Sequence, residues 1–381
     1  MPPSPPTSLW ASGFRRLLAA RLVAQTGDGL FQVGVAWLVL LSPDAQPSPA
    51  AFAGALALVL LPFSVVGPFA GVLLDRWSRR QALVLGQLAR AAVVVCVAVT
   101  ALPTGLPLWP AYVLVLVALG FNRVLLAALS AALPHVVTSE RLVTANAIAP
   151  TAGTIALGTG IGLGAVVLGV TGSSPVVIAV AVAAYVCAAG VAAAFDRSAL
   201  GPHTPSRDPI LGSAGGDVIS GLRHLGARQP AATALLRLSA FRLLFGAWTL
   251  VVFTLALGAD PPASSEVVAA VAVTLAAGYG LAALLTPLVV RRWRLGRWVA
   301  VLAAAGTVVL ALTIALAPAL GAVVLVVQAL VFGLVGQTLK IHTDTQVQRH
   351  VDDSYLGRAF TVYDICFNVA FVGGALLALA T

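Results

Sequence analysis

Gly71-Val72-Leu73-Leu74-Asp75-Arg76-Trp77-Ser78-Arg79-Arg80 closes one long apolar run and opens the next. One carboxylate and three guanidinium groups are packed into the turn between residues 51–74, which carry no charge, and residues 81–102, whose single charge is Arg90. Each run exceeds the roughly 20 residues a helix needs to cross a hydrocarbon layer. The charges collect in the turn because the turn is the part that leaves the lipid.

The rest of the 381 residues repeats this alternation. The chain is 60% hydrophobic and only 9% charged, with a mean hydropathy of +1.00, whereas soluble domains carry about 25% charged residues. A water-soluble enzyme is excluded, and the fold class is an all-α polytopic membrane protein. Cys96, Cys187 and Cys366 are odd in number and each lies in an apolar run, which leaves neither a disulfide framework nor a cysteine zinc site. A net charge of +9 would suggest nucleic acid in a soluble chain, but here it sits in the loops and reads as topology, with no nucleic-acid partner.

Apolar runs broken by Pro, Gly and charge place eleven spans, at 16–41, 51–74, 81–102, 109–133, 143–170, 175–195, 231–257, 266–290, 297–317, 320–339 and 357–380. The loops after spans one, three, five, seven and nine contain no Lys or Arg. Loop charges fall on the other side: Arg76, Arg79 and Arg80, then Arg141, then Arg197, Arg207, Arg223 and Arg228, then Arg291, Arg292 and Arg294, then Lys340 and Arg349. The positive-inside rule makes those loops and the N-terminus cytoplasmic, in a multi-pass cell-membrane protein. Trp37 and Trp109 near the outer ends of their spans, and Trp77, Trp293 and Trp298 near the inner ends, fit an interfacial belt. The first eight residues have no basic n-region, and span one is too long for a signal peptide, so it is expected to remain uncleaved.

Residues 196–230 form the one long loop, dividing an N-terminal bundle of six spans (1–195) from a C-terminal bundle of five (231–381). Gly216 to Ala227 reads either as an amphipathic helix with Arg223 towards the headgroups or as a flexible linker. The bundles echo one another. The turn Gly67 to Arg80 has a counterpart in Gly278 to Arg294, and Pro134-His135-Val136-Val137-Thr138-Ser139-Glu140-Arg141 parallels Gln348-Arg349-His350-Val351-Asp352-Asp353. Six spans separate the copies, so the halves share orientation, as in parallel-repeat transporters.

The 71–80 turn resembles the major facilitator superfamily pattern G-x-L-x-D-[RK]-x-G-[RK]-[RK], with Ser78 in place of the last Gly. The resemblance implies that Asp75 caps the start of span eleven, near Gly357 and Arg358, when the inner gate is shut, a placement that a helix N-terminus and a guanidinium both favour. It makes Gly71, Asp75, Arg76, Arg79, Arg80 and Arg358 the inner-gate residues. Leu119-Gly120-Phe121-Asn122-Arg123 is similar to the family's L-x-x-x-R element, with Leu126 and Ala127 where Gln and Gly are expected. Gly153, Gly158, Gly160, Gly162 and Gly164 resemble the glycine-rich antiporter element without its Gly-Pro. Phe14-Arg15-Arg16-Leu17-Leu18, Gln25-Thr26-Gly27-Asp28, Ala145-Asn146 and Gly357-Arg358 resemble the enterobactin- and macrolide-exporter branch.

Ionised residues at mid-bilayer cost about 2.5–3.5 kcal/mol each on insertion scales and need water or a partner. Arg21, Asp28, Arg90, Arg123, Arg237, Arg242 and Asp364 stand inside spans. Arg21, Gln25, Asp28 and Gln32 form one polar face of span one. The family arrangement would bring Asp28 and Arg123 together across a central pathway, Asp28 acting as proton carrier or else held in a permanent ion pair. Ser239, Arg242, Gly246 and Thr249 form a similar stripe on span seven, while Asp364 with Thr361 and Asn368, and Gln328 and Gln337, either line the pathway or pack helices. Arg21 and Arg237 read as snorkelling residues and Arg90, on a peripheral span, as structural. Five Arg against two Asp leaves this set at +3, favouring anionic or zwitterionic cargo.

Gly160-Ile161-Gly162-Leu163-Gly164-Ala165 matches a dinucleotide fingerprint by letter only; no strand precedes it, and it reads as close helix packing. No phosphate-binding loop is present, so any driving energy comes from a gradient. His135, His203, His224, His342 and His350 read as solvated loop residues without metal-ligand spacing, and neither H-E-x-x-H nor G-x-S-x-G occurs. No cofactor, metal or enzymatic activity is expected. The family usually has twelve spans; eleven would place the C-terminus outside. The reading is a monomeric secondary active exporter in the lipid bilayer, working by alternating access on a small amphiphilic or anionic molecule with a proton or other ion gradient. The alternatives are an uptake symporter and a non-transporting sensor or scaffold.

Overall fold

The computed structural model of the protein describes residues 9–40, 77–100, 109–202, 214–258, 265–316 and 323–379. They form eleven α-helices and no strand: α1 Ser12–Leu40, α2 Arg79–Thr100, α3 Trp109–Ala132, α4 Leu142–Thr171, α5 Ser174–Ala193, α6 Ala214–Ala227, α7 Gln229–Gly258, α8 Ser265–Val289, α9 Leu295–Ala315, α10 Val323–His350 and α11 Leu356–Leu379. Short 3₁₀ turns, Leu133–His135 and Asp353–Tyr355, lead out of α3 and into α11. Nine of the described helices are long and apolar enough to cross a membrane. The expected span at 51–74, together with Gly71, Asp75 and Arg76, lies outside the described residues.

The described helices gather into two compact units. The first comprises Met1–Arg141, Ala152–His224 and Val351–Val362. In it α5 packs on α1 and α2, and α2 on α3. Leu30 and Phe31 of α1, Val94 and Val97 of α2, Ala118 of α3 and Ile178 and Tyr185 of α5 interlock in one core. Lipid is as apolar as these side chains, so close packing rather than escape from water holds such helices together, and small residues decide how near they come. On α4, Gly160 faces the Thr26 backbone, Gly164 meets Val33 and Gly153 leaves room for the Gln25 amide, whereas Gly158 and Gly162 face open space. The 153, 160 and 164 positions share one helix face. Gly172, at φ 62°, ends α4 in the left-handed region that a residue without Cβ adopts freely.

The second unit comprises Leu142–Thr151, Leu225–His350 and Tyr363–Thr381, with α10 packed on α7, α8 and α9. In α10 61% of the most apolar window is buried, more than in any other described candidate span. This corrects the expected span at 320–339: the helix continues eleven residues further, to His350. Lys340, His342, Arg349 and His350 are helical residues, not loop residues. Hydropathy ends at residue 339 because Lys340 to Gln348 is mostly polar, yet most of this stretch is buried and several of its polar groups find partners. Thr343 Oγ1 donates to the Leu339 and Ala234 carbonyls, Thr345 to Ile341, and Lys340 Nζ meets Asp344 Oδ2 at 2.6 Å. Asn146 and Gln348 exchange amide hydrogen bonds at 2.6 and 3.3 Å.

Candidate functional site

Asp28 stands on α1 with 2% of its surface exposed, in the core of the first unit. Its partner is Arg90 of α2, 1% exposed, at 2.5 Å. Tyr185 of α5 donates its hydroxyl to Asp28 Oδ1 at 3.1 Å, and the Arg90 guanidinium lies 4.2 Å from the centre of the Tyr185 ring. Arg90 Nη1 also reaches Asn122 Oδ1 of α3 at 3.4 Å. The contact expected between Asp28 and Arg123 is therefore made with Arg90; Arg123 is half-buried and only within electrostatic reach of the carboxylate. Four helices each contribute one group to a charge that none could carry alone in lipid. Of the rest of the α1 polar face, Gln32 is exposed and Gln25 accepts from Arg21 Nε at 3.2 Å. Polar spacing on one helix could not reveal Tyr185, which sits in an apolar run.

A second cluster forms at the start of α2. Arg79 is fully buried. Its guanidinium donates to the carbonyls of Ala131, Leu200 and Asp353 at 3.1, 3.2 and 2.9 Å and pairs with Asp353 Oδ1 at 2.6 Å. His135 Nε2 lies 2.5 Å from Arg79 Nη1 and 3.0 Å from the same Asp353 oxygen. One ring nitrogen thus faces a donor and an acceptor, and its tautomer decides which it serves. Beside it, His224 of α6 meets Asp352 Oδ2 at 3.2 Å and stacks on Tyr355 at 4.2 Å. The buried Arg358 lies 5.1 Å from the Tyr355 ring centre. His135 and His224 are therefore partnered, not solvated loop residues, and the long loop contains a helix docked through His224. The only sequence signal was the repeat pairing of the His135 and Asp353 segments, which here meet within one unit.

Arg80 Nη2 donates to the Ala193 carbonyl at 2.7 Å and Arg16 Nη1 to Ala194 at 3.2 Å. Two cations thus satisfy carbonyls left over at the C-terminus of α5.

In the second unit the Arg242 guanidinium lies 3.9 Å from the ring centre of Phe367, 4.5 Å from Phe371 and 5.2 Å from Phe245. Gly246 and Gly374 let α7 and α11 approach backbone to backbone, closing the Phe371 ring over it. Asp364 and Asn368 are half-buried one turn apart on α11, and Asn368 Nδ2 donates to the Asp364 carbonyl at 2.7 Å. Gln328 accepts from Trp248 Nε1 at 2.9 Å and donates to Thr313, while Gln337 donates to Thr151. The two amides tie helices together. Asp344, 3% exposed, is a buried carboxylate that the loop reading of 340–356 overlooked. Among the described residues no group of three or more His, Cys, Asp or Glu could hold a metal ion.

These arrangements hold partnered ionisable groups inside an apolar helical body. The family model described as Major Facilitator Superfamily matches residues 17–375. Two uncharacterized MFS-type transporters, of Mycobacterium bovis and Mycobacterium tuberculosis, are each 36% identical over 398 residues, covering 98% of this chain and 87% of theirs. A bacterial homologue of the iron transporter ferroportin in its outward-facing state aligns with a TM-score of 0.69 at 17% identity, over 96% of this chain and 92% of that one. The MFS transporter FucP in its outward conformation aligns at 0.65 and 13%, over 98% and 91%; at these identities the likeness is one of fold. A multi-pass helical body with 36% identity to transporters over nearly its whole length leaves one assignment, and the chain belongs to the Major Facilitator Superfamily of membrane transporters.

Proposed function

We propose that the protein is a proton-coupled exporter of a small amphiphilic or anionic molecule, working by alternating access. The observation that carries this reading is the Asp28–Arg90–Tyr185 cluster. A carboxylate buried at mid-span is paired with one guanidinium and hydrogen-bonded by one phenol, so taking up a proton would release Arg90 and losing it would restore the lock. Arg123, within electrostatic reach, is a second cation that the carboxylate can answer to. The Arg79–His135–Asp353 knot ties the start of α2 to the turn before α11 within the first unit, and a fully buried guanidinium can be withdrawn only by breaking every one of its contacts. The positive balance of the intramembrane residues supports anionic cargo, and resemblance to exporters supports the outward direction.

The test is Asp28→Asn in proteoliposomes. The neutral side chain keeps the shape of the site and cannot cycle a proton. Gradient-driven transport is expected to disappear while passive exchange of cargo between the two sides continues. Gradient-driven transport at the wild-type rate in Asp28→Asn contradicts proton coupling through this residue.

A further inference from the structure

Arg242 is thirteen residues into α7 from Gln229, about 20 Å at 1.5 Å per residue, and half-buried. Several other charges within the helices have named company: Asp28 pairs with Arg90, Arg123 lies in the field of Asp28, and Lys340 pairs with Asp344. Among the described residues no carboxylate pairs with Arg242. The titratable side chains within electrostatic reach are the phenols Tyr279 of α8 and Tyr363 of α11. Its Nε makes one long contact with the Phe367 carbonyl, at 3.5 Å.

Three aromatic faces surround the guanidinium, and Phe245 continues into a wall with Trp248 and Phe332, at centroid distances of 5.7 and 5.6 Å. Cation–π contact offsets part of the cost of a desolvated charge but uses none of its N–H donors. The two terminal nitrogens keep the planar fork that fits a carboxylate or sulfonate with two parallel hydrogen bonds. A positive charge with no counter-ion among the described residues, lined by flat rings, is half of a recognition site whose other half is an anion on an apolar body.

Resting on the transport reading above, we propose that Arg242 anchors the headgroup of the cargo, an organic monoanion whose aromatic or alkyl body packs against Phe245, Trp248 and Phe367. A neutral molecule of the same shape would leave the guanidinium unanswered, and a cation would be repelled.

Isothermal titration of the purified full chain in detergent, with no gradient, tests this. The probes are naphthalene-2-carboxylate, naphthalene-2-sulfonate, octanoate, neutral naphthalene-2-carboxamide and the cation naphthalen-2-ylmethylammonium. Wild type is expected to bind the naphthalene anions at least about tenfold more tightly than the carboxamide, and the cation least. Arg242→Gln should erase that preference, and Arg242→Lys, which keeps the charge but not the fork, should retain part of it. Equal affinity for carboxylate and carboxamide, an unchanged preference in Arg242→Gln, or no binding of any of the three anions at about 1 mM overturns the proposal. Should Arg242→Gln fail to fold, undiminished anion affinity in Arg242→Lys overturns the bidentate anchor. Gradient-driven flux without anion preference refutes the substrate class alone; anion preference without flux refutes the transport reading alone.

Discussion

Arg90 and Asp28 depend on each other more than on the helices that carry them. Removing one partner of a buried ion pair leaves an uncompensated charge, at a cost of about 3–5 kcal/mol, whereas replacing both with groups of similar shape is often nearly neutral. Arg90→Met is therefore expected to lower the melting temperature in detergent sharply, and Asp28→Asn combined with Arg90→Met to recover most of the loss. A double variant no more stable than Arg90→Met would show that the pair is not the reason Arg90 is buried. Sequence made Asp28 conspicuous, since charges in a 60% hydrophobic chain are rare. It did not reveal the partner, because which of Arg90 and Arg123 meets Asp28 depends on helix rotation that spacing along one chain does not encode. Tyr185 was invisible for a related reason: a phenol in an apolar run looks like packing until a carboxylate faces it.

At the scale of the helix, α4 shows how finely small residues are placed. Gly160→Ile would drive a branched side chain into the Thr26 backbone and separate α1 from α4, while Gly162→Ile would project into open space. Gel filtration should show Gly160→Ile poorly folded and Gly162→Ile monodisperse; equal behaviour would contradict this packing. The reciprocal amides of Asn146 and Gln348 make a quantitative case. Interhelical hydrogen bonds in membranes average about 0.6 kcal/mol and reach about 1.7, so a double-mutant cycle of Asn146→Leu and Gln348→Leu should give a coupling within that range, and zero coupling would remove the contact from the account. Helix positions were largely legible, because a run of lipid-soluble residues leaves few alternatives; α2, α3, α4 and α5 each begin and end within about two residues of the expected spans. The end of α10 was not. Thr343, Asp344 and Gln348 are read as solvent-facing by any scale that scores residues singly, and their burial depends on partners elsewhere in the unit. The same limit hid the partners of Arg79: the resemblance singled out the residue, but not the three carbonyls, one carboxylate and one imidazole that answer its guanidinium.

Taken as a whole molecule, a superfamily transporter with buried, partnered ionisable groups is proposed to draw its work from an ion gradient through those groups. The most direct test reconstitutes wild-type protein in proteoliposomes and follows a panel of organic anions and amphiphiles under an imposed pH gradient, with and without an ionophore that collapses it. At least one panel member is expected to accumulate against its own gradient only while the pH difference lasts, and to stop doing so in Asp28→Asn. Accumulation that survives collapse of every ion gradient, or a panel that crosses no faster than through protein-free vesicles, would contradict the account.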